Sequence, residues 1–272
     1  MGRPAFRVLQ LIMESASDPS FVVVLPTFNN VGTLPDVLGG VSKCGLPMIV
    51  VNDGSTDETS AWLQAWLTGV AQPLRRVIEH SVNQGKAAAL ITGFASARGA
   101  GFSHAVTIDT DGQLEPSEIP DLIDAARCHP DSLVIGARND RADDYPGRSR
   151  FGRRFSNLMI RLECGARVED SQCGMRAYPL RLFDAVHPRA GRYAMETEII
   201  TLASWAGFGI VNVPVTCRYI AETRLVSHFR VGRESWQSIL LHARLLAQSP
   251  FKRFSRPGKG PKALSISPAG RR

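Results

Sequence analysis

Two aspartates and a glutamine stand at alternate positions, Asp109, Asp111 and Gln113, at the end of the apolar run His104-Ala105-Val106-Thr107-Ile108. An extended backbone sends every second side chain to one face, so these three polar groups converge on one point. That point suits Mg²⁺ or Mn²⁺. Either ion takes oxygen ligands octahedrally, commonly one or two carboxylates with water and substrate phosphates filling the other positions. Taken alone, an acidic turn after a strand could equally cap the next helix.

The elements that must position this motif favour the cation. Two earlier segments repeat the design: Phe21-Val22-Val23-Val24-Leu25-Pro26-Thr27-Phe28-Asn29, and Met48-Ile49-Val50-Val51-Asn52-Asp53-Gly54-Ser55-Thr56-Asp57. Each is a β-branched run that ends in an amide or carboxylate and leads into an amphipathic stretch. The pattern predicts strands at 21–25, 47–52, 74–79, 104–108 and 132–136, alternating with helices at 33–42, 57–67, 86–98 and 117–127. Strands and helices in alternation with short turns imply an α/β domain, a mostly parallel central sheet with helices on both faces. Ligands of such sheets bind at the carboxyl ends of the strands, where Asn29, Asp53, Asp109 and Asp111 meet. Those residues describe a nucleotide site with a metal at its phosphate end.

Four motifs then carry a resemblance, in order and in spacing: Pro26-Thr27-Phe28-Asn29, Asn52-Asp53-Gly54-Ser55-Thr56-Asp57, Asn83-Gln84-Gly85-Lys86 and Asp109-Thr110-Asp111-Gly112-Gln113. Across about residues 20–230 the chain resembles family 2 inverting glycosyltransferases, in particular the dolichyl-phosphate mannose synthase-like subgroup. The resemblance implies a single nucleotide-sugar-binding domain of glycosyltransferase A type. It implies that Pro26, Thr27, Asn29, Asp53, Asn83, Lys86, Asp109 and Thr110 hold the donor, and that Asp109, Asp111 and Gln113 hold Mg²⁺ or Mn²⁺. Lys86 opens a helix, where free backbone N–H groups also favour an anion.

Further motifs extend the resemblance toward an acceptor. Val134-Ile135-Gly136-Ala137-Arg138 resembles a Gly-Ser-Arg of relatives, and Asp170-Ser171-Gln172-Cys173-Gly174-Met175-Arg176 their Asp-x-x-Ser-Gly-Phe-Arg. Glu196 and Glu198 match a Glu-x-Glu that opens a helix, a position where either acid could serve only the helix dipole. Arg138, Arg150, Arg218 and Arg224 are the candidates for an acceptor phosphate, which arginine forks grip in bidentate fashion. Arg148, Arg153 and Arg154 belong to the same arginine-rich stretch, which could instead be a solvated loop. Asp109, Asp111, Arg138, Arg176 and Glu196 are the catalytic candidates.

Composition sets the remaining bounds. The 272 residues, 44% hydrophobic and 21% charged, suit one globular enzyme domain. Five scattered cysteines without a CxxC pair argue for reduced thiols in a cytoplasmic setting and against a zinc or disulfide framework. No stretch reaches the roughly 18 apolar residues of a membrane helix, and the start fits neither a secretory signal nor a myristoylation site. The formal charge is +7, and from Ser249 onward stand Lys252, Arg253, Arg256, Lys259, Lys262, Arg271 and Arg272 with no acid. The sequence therefore divides into an N-terminal extension at 1–19, a transferase domain at 20–230, an amphipathic helix at 231–248 and a basic disordered tail at 249–272. Trp236, Ile239, Leu240, Ala243, Leu245 and Leu246 form the apolar stripe of that helix. It could pack on the domain or lie in a membrane interface.

The expected activity is transfer of one sugar from a nucleoside diphosphate donor to a polyprenyl phosphate, by a protein held peripherally at the inner face of the membrane. A hydroxyl acceptor is the alternative, with Glu196, Glu198 or Asp170 as base, and metal-dependent nucleotidyl transfer is a second. A neutral core with the charge confined to a tail argues against a nucleic-acid partner. Nothing in the sequence fixes the oligomeric state.

Overall fold

The β-branched run of β1 (Phe21–Thr27) is buried along its whole length, as a central strand covered on both faces must be. A computed structural model of the chain describes residues 19–68, 75–138, 147–192, 194–218, 231–254 and 264–265. In chain order the elements are β1, α1 (Leu34–Lys43), β2 (Met48–Asn52), α2 (Thr59–Thr68), β3 (Arg75–Glu79), α3 (Lys86–Gly99) and β4 (His104–Thr107). A 3₁₀ turn (Pro116–Glu118), α4 (Ile119–Cys128), β5 (Ser132–Arg138), α5 (Gly147–Cys164), β6 (Arg176–Pro179) and α6 (Leu182–Ala185) follow. The last described elements are α7 (Ala194–Ala206), β7 (Gly209–Val215), α8 (Val231–Phe254) and β8 (Leu264–Ser265).

The strands form one sheet in the order β3-β2-β1-β4-β6-β5-β7-β8. All neighbours run parallel except β6, which is antiparallel to both β4 and β5. Alternation along β1 divides the core between two faces. Val23 and Leu25 pack with Leu34, Leu38 and Val41 of α1, whereas Val22 and Val24 pack with Leu90 and Phe94 of α3.

Register puts the functional turns side by side. Thr27 pairs with Asn52, and Val24 with Thr107, so β1, β2 and β4 end at nearly one level. Thr107 and Ile135 both pair with Arg176, so the segment leading into β6 arrives where β4 ends.

The first half follows the sequence pattern to within a few residues, and the departures come after Arg138. The arginine-rich stretch read as a loop is the start of α5, which buries Arg153, Ser156, Ile160 and Glu163 at helical spacing. The mixture of arginines and apolar residues hides that stripe. The helix expected at 231–248 continues to Phe254, into the segment expected to be disordered, and Leu264–Ser265 pairs with the exposed edge of β7. Backbone pairing and the burial of Ser249 hold chain that composition alone would leave free.

Gly93 is where α3 approaches β1. A Cβ there would lie 2.4 Å from Val24 Cγ1, a stiff and fully buried side chain. Alanine normally stabilises a helix interior by about 1 kcal/mol over glycine, but overpacking costs about 1–3 kcal/mol. Gly93→Ala should therefore lower the urea midpoint, and an unchanged or raised midpoint would refute this packing.

Candidate active site

Lys86 is the first residue of α3, and its ammonium lies 2.6 Å from Asp109 Oδ1 and 2.8 Å from Glu196 Oε2. Burial alone would lower its pKa, but the two carboxylates outweigh that effect and hold it above the ordinary lysine value. The side chain therefore stays charged, as a bridge from the end of β4 to the first turn of α7.

The turn that presents Lys86 is built on Asp53. Its Oδ1 accepts from the Gln84 N–H at 3.0 Å and faces His80 Nδ1 at 2.7 Å, while Oδ2 accepts from the Gly85 N–H at 2.7 Å. His80 Nε2 reaches Thr92 Oγ1 at 3.0 Å, in the second turn of α3. Gly85 takes φ +94°, a conformation that favours glycine. Asp53 is only 3% exposed, with both oxygens bonded to protein, so in this structure it shapes the turn below Lys86. Asn83 stands exposed at the rim of the same turn.

Asn29 ties the first two strand ends together. Its N–H donates to Ser55 Oγ, and its side-chain oxygen accepts from the Thr56 N–H at 2.8 Å. Its φ of 52° is one asparagine tolerates better than most residues. Thr110 is fixed between the acids: its hydroxyl donates to Pro26 O and accepts from Asn30 Nδ2, and its carbonyl accepts from Thr33 Oγ1 at 2.6 Å. The hydroxyl of Thr27 is buried without a hydrogen-bond partner among the described residues.

Asp109 and Asp111 lie close enough to repel. The Asp111 carboxyl is pushed up to about 6, by burial first and by the Asp109 charge second. The Gln113 N–H donates to Asp111 Oδ1 at 3.0 Å. Crowded carboxylates of this kind fit a divalent cation. On the far side of Lys86, the Glu196 Oε1 atom is buried with no hydrogen-bond partner among the described residues. No three His, Cys, Asp or Glu side chains converge among the described residues. A seat of two carboxylates suits Mg²⁺ or Mn²⁺ completed by phosphate and water better than a closed structural site. Gly174 holds this pair from behind, since a Cβ there would stand 2.1 Å from Asp109 Oδ2.

Two of the candidate arginines, Arg138 and Arg176, are bonded to protein groups. Arg138 donates from Nε and Nη2 to the two oxygens of Asp170, at 2.6 and 3.0 Å, and Arg153 Nη1 adds a bond at 3.3 Å. Burial would raise the Asp170 pKa, but hydrogen bonds and charge from Arg138, then the charge of Arg153, hold it below the usual carboxylate range. Arg176 is fully buried and donates to the carbonyls of Cys173, Glu196 and Ser171. Its expected catalytic contact is thus replaced by a strut between the β6 approach and α7, because its guanidinium is enclosed by three carbonyls. Arg218 is exposed, pairs with Glu115 and donates its N–H to Gln113 O at 2.8 Å, beside the acidic turn. Arg150 belongs to α5, but its side chain lies outside the described residues, as does all of Arg224.

The two helix-opening glutamates separate. Glu196 faces Lys86, while Glu198 accepts from the N–H groups of Arg189 and Ala190 and pairs with Arg244 of α8. Missing from the sequence reading were His80, the role of Gly174 and the bond of Arg153, there a phosphate candidate, to Asp170. Gly174 and Arg153 lay inside motifs already noted, whereas His80 had no local signal.

Polar turns gathered at the carboxyl edge of a mostly parallel sheet place the chain among α/β folds that bind their ligands at that edge. It belongs to glycosyl transferase family 2, whose sequence profile matches residues 22–186. Undecaprenyl-phosphate mannosyltransferase of Micrococcus luteus is 28% identical over 215 residues, 75% of this chain and 86% of that one. Undecaprenyl-phosphate 4-deoxy-4-formamido-L-arabinose transferase of Pseudomonas fluorescens is 32% identical over 171 residues, 60% of this chain but only 48% of that protein. In fold, the chain is similar to glucosyl-3-phosphoglycerate synthase of Mycobacterium tuberculosis, solved with Mn²⁺, UDP and glucosyl-3-phosphoglycerate. That likeness has a TM-score of 0.62 at 22% identity and covers 92% of this chain and 86% of that one.

Gly174→Ala should disable the site without unfolding it, because Asp109 must move to admit the methyl group. A displacement of about 1 Å can cost about 10² in rate. Sugar transfer should fall on that order while the circular dichroism spectrum is kept; near-normal transfer would show that Asp109 is not needed where it stands.

Proposed function

We propose that the chain transfers one sugar, with inversion, from a nucleoside diphosphate donor to a polyprenyl phosphate. The observation that carries the choice of acceptor is the engagement of the carboxylates. Asp170 lies between two guanidinium groups, Glu198 is turned to the Arg189-Ala190 turn and Arg244, and Glu196 Oε2 is paired with Lys86. A hydroxyl acceptor needs a base to remove its proton, whereas a phosphate oxygen is ionised already. The two undecaprenyl-phosphate transferases similar to this chain support the same choice.

In this reading Asp109 and Asp111, with Gln113 beside them, hold Mg²⁺ or Mn²⁺, which supplies positive charge against the departing diphosphate. Lys86 fixes the direction of the Asp109 carboxylate and adds a second positive charge to the same end of the site. Asn29, Asp53 and the Pro26-Thr27 strand end form the floor on which the nucleoside rests. Arg218, at the edge of the acidic turn, is assigned to the acceptor phosphate, and the family resemblance adds Arg150 and Arg224 to it. Positioning and charge then supply most of the rate. No helix among the described residues is long and apolar enough to cross a membrane. A polyprenyl acceptor calls for attachment to an anionic bilayer, to which the cations after Ser249 contribute.

The test is to incubate purified protein and Mn²⁺ with a panel of nucleotide sugars and polyprenyl phosphate, identify any glycolipid, and repeat the assay with Glu196→Gln. Loss of a general base typically costs about 10² to 10⁴. The phosphate reading expects a glycolipid and a smaller effect of Glu196→Gln. A collapse of that variant, with product formed only on hydroxyl acceptors, would transfer the case to glycan or glycolipid elongation.

A further inference from the structure

An acid at the start of a helix ordinarily serves the free N–H groups or the dipole there. Glu118, at the N-cap position of α4, is used differently: its side chain makes no capping bond, and both of its oxygens are taken by Thr216. Oε2 accepts from the Thr216 N–H and Oε1 from the Thr216 hydroxyl, each at 2.8 Å. A carboxylate that takes two donors from one residue fixes the direction of that residue as well as its place.

Thr216 begins the segment that leaves β7, and Glu118 ends the one that leaves β4 through the acidic turn. In the sheet, β6 and β5 lie between these two strands, so the strands themselves cannot meet and only the departing segments do. They run antiparallel. Leu114 and Cys217 form a bridge, the Arg218 N–H donates to Gln113 O at 2.8 Å, and the Arg218 guanidinium pairs with Glu115. Glu118 closes one end of this short ladder and Gln113 the other.

Gln113 also belongs to the acidic turn. Its N–H donates to Asp111 Oδ1 at 3.0 Å while its carbonyl accepts from Arg218. Movement of Arg218 along the ladder therefore moves the main chain that orients Asp111, and movement of Asp111 is passed back to Arg218. Without Glu118 the ladder would retain a bridge of one residue pair, marginal by itself, and an ion pair whose arginine is 63% exposed, which holds weakly. The paired bonds of Glu118 are what set the register.

We propose that Glu118 is a positioning residue: by gripping Thr216 it holds Arg218 in register on Gln113, and so couples a phosphate at Arg218 to a divalent cation at the acidic turn. The two ligand classes rest on the acceptor and metal reading above, and the clamp rests on the bonds alone. By linkage each ligand then tightens the other by one common factor.

The test compares the full chain as wild type, Glu118→Ala and Glu118→Gln. Glutamine can keep both bonds, its oxygen accepting from the Thr216 N–H and its amide donating to the hydroxyl oxygen, whereas alanine keeps neither. Since Glu118 does not cap α4, both variants should fold. Mn²⁺ binding is read by electron paramagnetic resonance with and without farnesyl phosphate, a soluble polyprenyl phosphate, and hydrogen exchange is read at the Arg218 amide. In wild type and in Glu118→Gln, farnesyl phosphate should tighten Mn²⁺ by about fivefold or more. Glu118→Ala should bring that factor to about one and speed exchange at Arg218 by about tenfold, with the amides of α4 unchanged. A factor that survives in Glu118→Ala would mean that the phosphate acts on the cation directly, and unchanged exchange at Arg218 would mean that the ladder holds without Glu118; either overturns the proposal. So would faster exchange throughout α4, or a Glu118→Gln protein that behaves like Glu118→Ala. Wild type that binds Mn²⁺ and farnesyl phosphate independently refutes the coupling and spares the acceptor reading. Wild type that binds no farnesyl phosphate, with Arg218 exchange still governed by Glu118, refutes the acceptor reading and supports the clamp.

Discussion

A buried ammonium must have anionic partners, and in this chain that requirement draws three distant segments to Lys86. Asp109 comes from the end of β4 and Glu196 from the first turn of α7, while Lys86 itself stands on a turn hung from the Asp53 carboxylate. Each partner is fixed in turn by something that tolerates little change. Gly174 leaves no room for Asp109 to retreat, Arg176 bonds the Glu196 carbonyl, and Gly85 supplies the left-handed turn before the lysine. Removing one carboxylate would leave the ammonium with a single anionic partner. The same arrangement therefore holds the Lys86 turn, Asp109 and Glu196 together and keeps the lysine charged.

A second network stabilises the segment that leads into β6. Asp170, fully buried, takes a bidentate fork from Arg138 and a third bond from Arg153, so the segment before β6 is joined both to β5 and to α5. Arg176 satisfies three carbonyls of the adjoining turns. Charge-assisted bonds of this kind are strong when every member is satisfied, and they set a loop in one conformation. Arginines that would suit a phosphate are here bound to protein. What reaches the ligand is the arrangement they impose.

The first half of the chain was legible because its strands are buried on both faces and read as continuous β-branched runs, with turn residues at their ends. The Asp-x-Asp turn and the Asn29 and Asp53 strand ends were legible from spacing, and the Lys86 turn from the family resemblance, since each lies within one local motif. Partnership across the fold was not. Nothing near Lys86 in sequence announces Glu196, 110 positions later, and nothing near Arg138 or Arg176 distinguishes a guanidinium bound to a buried carboxylate or carbonyl from one open to phosphate. Helix α5 was missed for a related reason: its inward stripe includes Arg153 and Glu163, polar residues made burial-competent only by Asp170 and His242.

Two carboxylates leave most of an octahedral shell unfilled, so the cation and the donor diphosphate should bind as one unit. Electron paramagnetic resonance of Mn²⁺ titrated into the full chain, with and without the nucleoside diphosphate of the donor, measures that coupling. The account predicts that the diphosphate tightens Mn²⁺ by about tenfold or more, that Mn²⁺ tightens the diphosphate by the same factor, and that Asp111→Asn abolishes both. Independent binding of the two ligands by the wild-type chain would contradict it.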